Sequence, residues 1–195
     1  LPRYAIMSQG NKEKFFEILD KYYDYAIEVH NLTYEKMRKV KAKTNPLMFC
    51  EGGGIYKLDP EDTIEKALDY MTYSIGYIGL TEVCYFMTGK HLHEDNSFAI
   101  EILEHLNKRI DKTKKETGKL IALYATPSEG YCDKLLRADR EKFGVIPYLT
   151  DKKWYHNSFH VGSNFDINAI DKQLAESPLF HLSNGGHIVY NEYSM

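Results

Sequence analysis

The chain has 195 residues, of which 43% are hydrophobic and 27% charged, enough apolar material for one sizeable core. Its formal net charge of -3 gives no global electrostatic pull toward nucleic acid or an anionic membrane. No apolar run approaches the roughly 20 residues that span a bilayer, and the three widely spaced cysteines, Cys50, Cys84 and Cys132, form no CxxC pair and fit a reducing cytoplasm.

No signal-peptide pattern opens the chain. It begins at Leu1-Pro2-Arg3 and stops just after an apolar alternating stretch, so it is expected to be an internal piece of a longer protein. Phe15, Leu19, Tyr22, Ala26 and Val29 recur at helical spacing. They predict a long helix, capped by Ser8 or Asn11 and ending at about Lys43, before Asn45-Pro46. A second helix is expected from Asp59, as N-cap, and Pro60 to about Tyr73. The run Ser74-Ile75-Gly76-Tyr77-Ile78-Gly79-Leu80 suits either a buried strand or a tight turn into a helix over 81–88 closed by Gly89.

Phe98, Ile102, Leu106 and Ile110 predict a third long helix that dissolves by Gly118. Leu120-Ile121-Ala122-Leu123-Tyr124 reads as a strand buried on both faces. A helix then runs from Thr126-Pro127-Ser128-Glu129 to about Phe143, before Gly144. Residues 154–161 and 187–193 look strand-like, with a helical segment near 166–175 between them. This alternation implies an α/β fold with some parallel pairing. No repeat or linker interrupts it, so 1–195 is expected to be a single partial domain.

Thr126-Pro127-Ser128-Glu129 carries the most chemistry. Thr126 can cap, Pro127 pre-sets the first helical φ, and Glu129 can complete a capping box on the Thr126 amide. The preceding strand would aim this helix start at a strand's carboxyl end, where α/β folds hold ligands. Unpaired N–H groups and the helix dipole make such a terminus suit phosphate. The same pattern also suits a capped helix with a purely structural role.

The remaining polar features read as structure. Cys84 lies among apolar neighbours and Cys132 one turn into the Thr126 helix, so both are expected to be packed thiols. Cys50 sits near Gly52-Gly53-Gly54, a run lacking the Gly-Lys-Ser/Thr of a P-loop. His91 and His93 suit a solvated turn better than a metal site. His156 and His160 would share one face of a strand, as hydrogen-bonded structural histidines.

The segment from Tyr124 through Thr126-Pro127-Ser128-Glu129 to Cys132, followed by Arg137-Ala138-Asp139-Arg140, resembles the "G-T-P-A-E … R-x-D-R" stretch of anaerobic (class III) ribonucleoside-triphosphate reductases. Gly144-Val145-Ile146-Pro147-Tyr148-Leu149-Thr150-Asp151-Lys152 and Tyr155-His156-Asn157-Ser158-Phe159-His160 resemble that family's "G-x-x-x-x-x-T-D-K … Y-x-N-S-F-H". Asn45 to Gly52, Ile75 to Glu82, Leu1-Pro2-Arg3 and Gly185 to Tyr190 resemble further blocks in family order, covering nearly the whole chain.

The resemblance implies part of a ten-stranded glycyl-radical-enzyme α/β barrel that reduces ribonucleoside triphosphates to deoxyribonucleoside triphosphates by glycyl and thiyl radical chemistry. It implies a radical-SAM activase as partner, a homodimeric parent, a structural zinc site outside this segment and formate as reductant. Thr126, Pro127, Ser128 and Glu129 then correspond to the turn that holds substrate phosphates; Ser128 stands where the family often has alanine. The "G-C-R-S" thiyl loop, the paired CxxC zinc motif and the "R-x-x-G-Y" glycyl-radical loop have no counterpart here. No catalytic residue is therefore expected in this segment, and the chain by itself is expected to reduce no ribonucleotide. A catalytically silent nucleotide- or partner-binding module on the same fold, or a different glycyl-radical enzyme, remain the alternative readings.

Overall fold

The computed structural model describes residues 1–54, 57–162 and 165–191. Two helices open the chain, α1 (Pro2–Ser8) and α2 (Lys12–Met37). Asn11 caps α2, accepting from the Lys14 amide at 2.8 Å, which satisfies one of the orphan donors of a helix start. Phe15, Leu19 and Tyr23 form its buried stripe, and the Tyr23 hydroxyl lies 2.8 Å from Thr113 Oγ1. Val29, placed on that face by spacing, is 60% exposed. The stripe runs through Tyr23 rather than Tyr22, and the last turns of the helix extend past the core.

The sequence reading overextends α2 and misjudges the segment after it. The helix stops at Met37 because residues 40–42 are drawn into backbone pairing with a distant segment. Ala42 N donates to Asp62 O at 2.9 Å, and Ile64 N to Val40 O at 3.0 Å. A 3-10 turn (Ala42–Thr44), α3 (Pro46–Phe49) and α4 (Glu65–Leu68) surround that pairing. The helix expected from Asp59 to Tyr73 is thus reduced to one turn. Asp59 Oδ1 does accept from the Glu61 amide at 2.9 Å, but it closes a turn rather than starting a helix. Ala42, Phe49, Ile64, Ala67 and Leu68 form a small satellite core here.

The alternatives left open for 74–80 both hold in part. Strand β1 (Tyr73–Gly76) leads into α5 (Leu80–Thr88), which Gly89 closes at φ 74°. Gly79 between them has φ 75°, and a Cβ there would lie 2.3 Å from Pro2 Cγ, so only glycine fits. Helix α6 (Ser97–Thr117) ends at Gly118 and buries Phe98, Ile102, Leu106 and Ile110, as the spacing predicts. Burying each such side chain stabilises the fold by about 1.5–3 kcal/mol.

Strand β2 (Ile121–Tyr124) pairs parallel with β1, Tyr73 opposite Ile121 and Gly76 opposite Tyr124. A parallel pair needs a crossover, supplied here by α5 and α6. Ile121 and Leu123 are buried, while Ala122 and Tyr124 are half-buried and Leu120 is exposed. The strand is therefore fully covered on one face only, not on both. Helices α7 (Glu129–Phe143) and α8 (Ala169–Phe180) complete the α/β arrangement.

The strands expected over 154–161 and 187–193 are not formed among the described residues. Residues 192 and 193 lie outside that description. The 154–161 segment makes one antiparallel bridge, Asn157 to Ile78, and is otherwise held by scattered backbone bonds, such as Gly79 N to His156 O and Tyr155 N to Cys132 O, and by side chains. The chain just before 187 lies along the second edge of β2, Gly185 N donating to Leu123 O and Ala125 N to Gly186 O.

Candidate functional site at the strand ends

Both strands run their carboxyl ends into helix starts, and the 152–161 loop lies across them. Three consecutive residues at the start of α5 grip this loop. Leu80 N donates to Ser158 O at 3.4 Å, Thr81 Oγ1 donates to His160 O at 2.7 Å, and the Glu82 carboxylate collects three donors. Glu82 Oε1 accepts from His156 Nδ1 at 2.6 Å, His156 N at 3.0 Å and Lys152 Nζ at 3.0 Å. Burial of Glu82 raises the cost of its charge, yet the His156 and Lys152 contacts outweigh it and hold the carboxyl down at about 2.

The same loop reaches the β2–α7 junction. Ser158 Oγ donates to Thr126 O at 2.9 Å from a left-handed backbone, φ 49°. Thr126 Oγ1 lies 2.8 Å from Ser128 Oγ, and Thr126 packs close to Gly76, where a Cβ would meet its side chain at 3.2 Å.

The capping box expected at this junction is not formed. Ser128 is the N-cap, at φ 24°, and no side chain caps α7 among the described residues. Thr126 spends its hydroxyl on Ser128, and Glu129 Oε1 accepts from the Tyr190 hydroxyl at 3.1 Å instead of reaching back. The Glu129 half of the box is lost to a distant partner, Tyr190, and the Thr126 half to a near one, Ser128. Tyr131 N donates to Ser128 O at 2.8 Å, while the Glu129 and Gly130 amides have no hydrogen-bond partner among the described residues and are left for solvent or a ligand. Thr126, Pro127, Ser128 and Glu129 thus form one turn, but Glu129 lines a different cavity from Thr126 and Ser128.

Behind the loop sits a second network that sequence reading did not assign. Asp139, 2% exposed, accepts from Arg3 Nε and from the Tyr155 hydroxyl at 3.0 Å. Burial and the adjacent carboxylate push the Tyr155 phenol upward. Arg140 donates to the carbonyls of Thr150 and Lys152, and Thr150 Oγ1 bridges Ile146 N and Gly144 O. Asp139, Arg140 and Thr150 thus clamp the 144–155 turn, whereas Arg137 pairs with Asp133 on its own helix. Only the coincidence of charged residues in apolar surroundings hinted at this.

Cys84 and Cys132 are buried, and burial pushes their thiols up to about 12 and about 11, as expected of packed rather than reactive sulfur. His91 and His93 stack on each other with ring centroids 5.7 Å apart and pack against Phe165. Among the described residues no three of His, Cys, Asp and Glu are arranged to hold a metal ion. Among them, too, no helix is long and apolar enough to cross a membrane.

A parallel strand pair whose carboxyl ends open into helix starts makes this an α/β protein, a class in which that end is where ligands are commonly held. The family model for anaerobic ribonucleoside-triphosphate reductase matches residues 1–195, and the chain belongs to that family. It is 35% identical over 199 residues to the anaerobic ribonucleoside-triphosphate reductase of Escherichia coli, and 33% identical over 198 residues to that of Enterobacteria phage T4. The matches cover 99% and 98% of this chain but only 28% and 32% of those relatives. A crystal structure of the anaerobic ribonucleotide reductase from Thermotoga maritima, with citrate in its active site, shares the fold at TM-score 0.75 and 21% identity. That match covers 96% of this chain and 32% of the other. A second crystal structure of the Thermotoga enzyme, with dATP in its specificity site, aligns at TM-score 0.74 and 20% identity, over 97% of this chain and 31% of that one.

Proposed function

We propose that this chain is a substrate-side portion of an anaerobic ribonucleoside-triphosphate reductase, and that the turn Thr126-Pro127-Ser128-Glu129 binds the substrate's phosphates. The observation that carries the reading is the uncapped start of α7 at the carboxyl end of β2. A helix of 15 residues whose first two amides, Glu129 and Gly130, are unpaired among the described residues, with a neighbouring hydroxyl pair, suits a phosphate group. The family supports it, since relatives carrying that name align over this whole segment.

The rest of the assignment belongs to the whole protein. The reading places β1 and β2 within a ten-stranded barrel; the edge of β1 away from β2, which pairs with no strand among the described residues, suits a further one. Glycyl-radical chemistry, a radical-SAM activase, formate as reductant, zinc bound elsewhere and a homodimeric assembly accompany it by family resemblance. This chain's own part is to hold the phosphates and to brace the turn from behind through Ser158.

Charge substitution at the turn tests the reading. In the reductase carrying this chain, Ser128→Ala should be mild, because backbone amides supply much of the contact. Ser128→Asp should raise the substrate KM at least tenfold, since a like charge against phosphate costs on the order of several kcal/mol and about 1.4 kcal/mol is one decade. Aspartate tolerates the positive φ of this position, so folding should survive. Unchanged triphosphate affinity in a folded Ser128→Asp protein would return the turn to a purely structural role.

A further inference from the structure

Two buried glutamates hold the 152–161 loop by the same three kinds of donor. Glu82 takes a backbone amide, a lysine and a histidine Nδ1 from this loop. Glu176 on α8, 0% exposed, accepts from Val161 N at 2.9 Å, lies 3.5 Å from His160 Nδ1 and 3.9 Å from Lys172 Nζ. Both histidines line one cavity of about 600 Å³ beside α7 and α8, and Lys172 lines it too. His160 is 5% exposed, yet neither of its ring nitrogens has a hydrogen-bond partner among the described residues, and Glu176 Oε2 is equally unpartnered, as is Glu82 Oε2. Unpaired buried polar groups of this kind cost stability unless something satisfies them.

We propose that this cavity is a binding site for a compact oxyanion, held between His156 and His160 with Lys172 beside them. His156 Nδ1 already bonds Glu82, and His160 Nδ1 faces Glu176 Oε2 at 3.5 Å without a formed hydrogen bond. A carboxylate only accepts, so a histidine whose Nδ1–H is turned to a glutamate can donate from Nε2 only as the doubly protonated ring. Each imidazole would then sit between a glutamate behind it and the oxyanion in front, the arrangement by which a buried carboxylate steadies an imidazolium. Glu82 and Glu176 are each matched by a lysine, so the ligand's charge is met by the protons the histidines take up. Thr126, Pro127 and Ser128 do not line this cavity, which separates the site from the phosphate turn. Glu129 does line it, with Tyr190 donating to its carboxylate.

Sulfate is the probe, because it stays unprotonated at neutral pH and any proton taken up must come onto the protein. Calorimetric titration of the reductase carrying this chain, in two buffers of different protonation enthalpy, should show sulfate binding with net proton uptake. His160→Gln should weaken this proton-linked binding at least tenfold and remove the proton uptake, while Ser128→Asp should leave the proton-linked component unchanged. Displacement of sulfate by ribonucleoside triphosphate would assign the oxyanion to the nucleotide; simultaneous binding would assign it to a free ion. Absence of binding, binding without proton uptake, or an affinity that survives His160→Gln would each overturn the proposal. So would loss in Ser128→Asp alone, which would put the anion at the turn. Should His160→Gln fail to fold, the proton uptake of the unsubstituted protein decides, since it needs no variant.

Discussion

Glu82 and Glu176 are built alike but satisfied differently, and the difference separates a brace from a socket. At Glu82 the three contacts to Oε1 fall between 2.6 and 3.0 Å. At Glu176 only the Val161 amide is that close, and the histidine and lysine stand off at 3.5 and 3.9 Å. A charge removed from water is tolerated when hydrogen bonds fill its lone pairs. Glu82 meets that condition at Oε1 from the loop it grips, although its Oε2, like that of Glu176, has no hydrogen-bond partner among the described residues. Glu176 holds its histidine and lysine only loosely and leaves them to whatever enters the cavity.

The largest effect should come from removing the tight carboxylate. Glu82→Ala should cost about 3–5 kcal/mol in urea unfolding, because it leaves His156 and Lys152 without their buried partner. Glu176→Ala should cost less, since two of its three contacts are long; equal losses would abolish the contrast. Next comes pH. The folded Glu82 carboxyl is held at about 2 against an ordinary value of 4.5. Its stabilisation is therefore complete above 4.5 and is lost as pH falls toward 2, a change on the order of 3 kcal/mol. Glu82→Gln should flatten that acid limb, and an unaltered limb would show that the burden lies on other carboxylates. The smallest effect should be His160→Gln in the absence of anion. It should alter stability by less than His156→Gln does, because His160 makes no hydrogen bond through its ring among the described residues.

The legible parts of the molecule are those whose partners are their own neighbours in sequence. Helix α6 can be read from Phe98, Ile102, Leu106 and Ile110, and its end from Gly118. Strand β2 is announced by an apolar run of the right length, and α7 by its position after it. The cap of α7 misleads because Thr126 and Glu129 look complementary three residues apart. In the fold Glu129 finds Tyr190, 61 positions away, and Thr126 O finds Ser158, 32 positions away. The Glu82–His156 pair, 74 positions apart, leaves no local trace at all.

Family membership, the α/β alternation and the candidate phosphate turn are all carried by the order of the amino acids. Ordered motifs and helical or strand periodicity are properties of neighbouring residues, and they survive without any tertiary contact. Three outcomes instead needed the folded chain: 59–73 is mostly turn, 154–161 is a stapled loop instead of a strand, and two histidines share a cavity. Each of those outcomes rests on a backbone or buried polar group choosing a distant partner over a local one. Such choices are made by the cost of leaving buried donors and acceptors unpaired, and that cost exists only once the chain has folded around them.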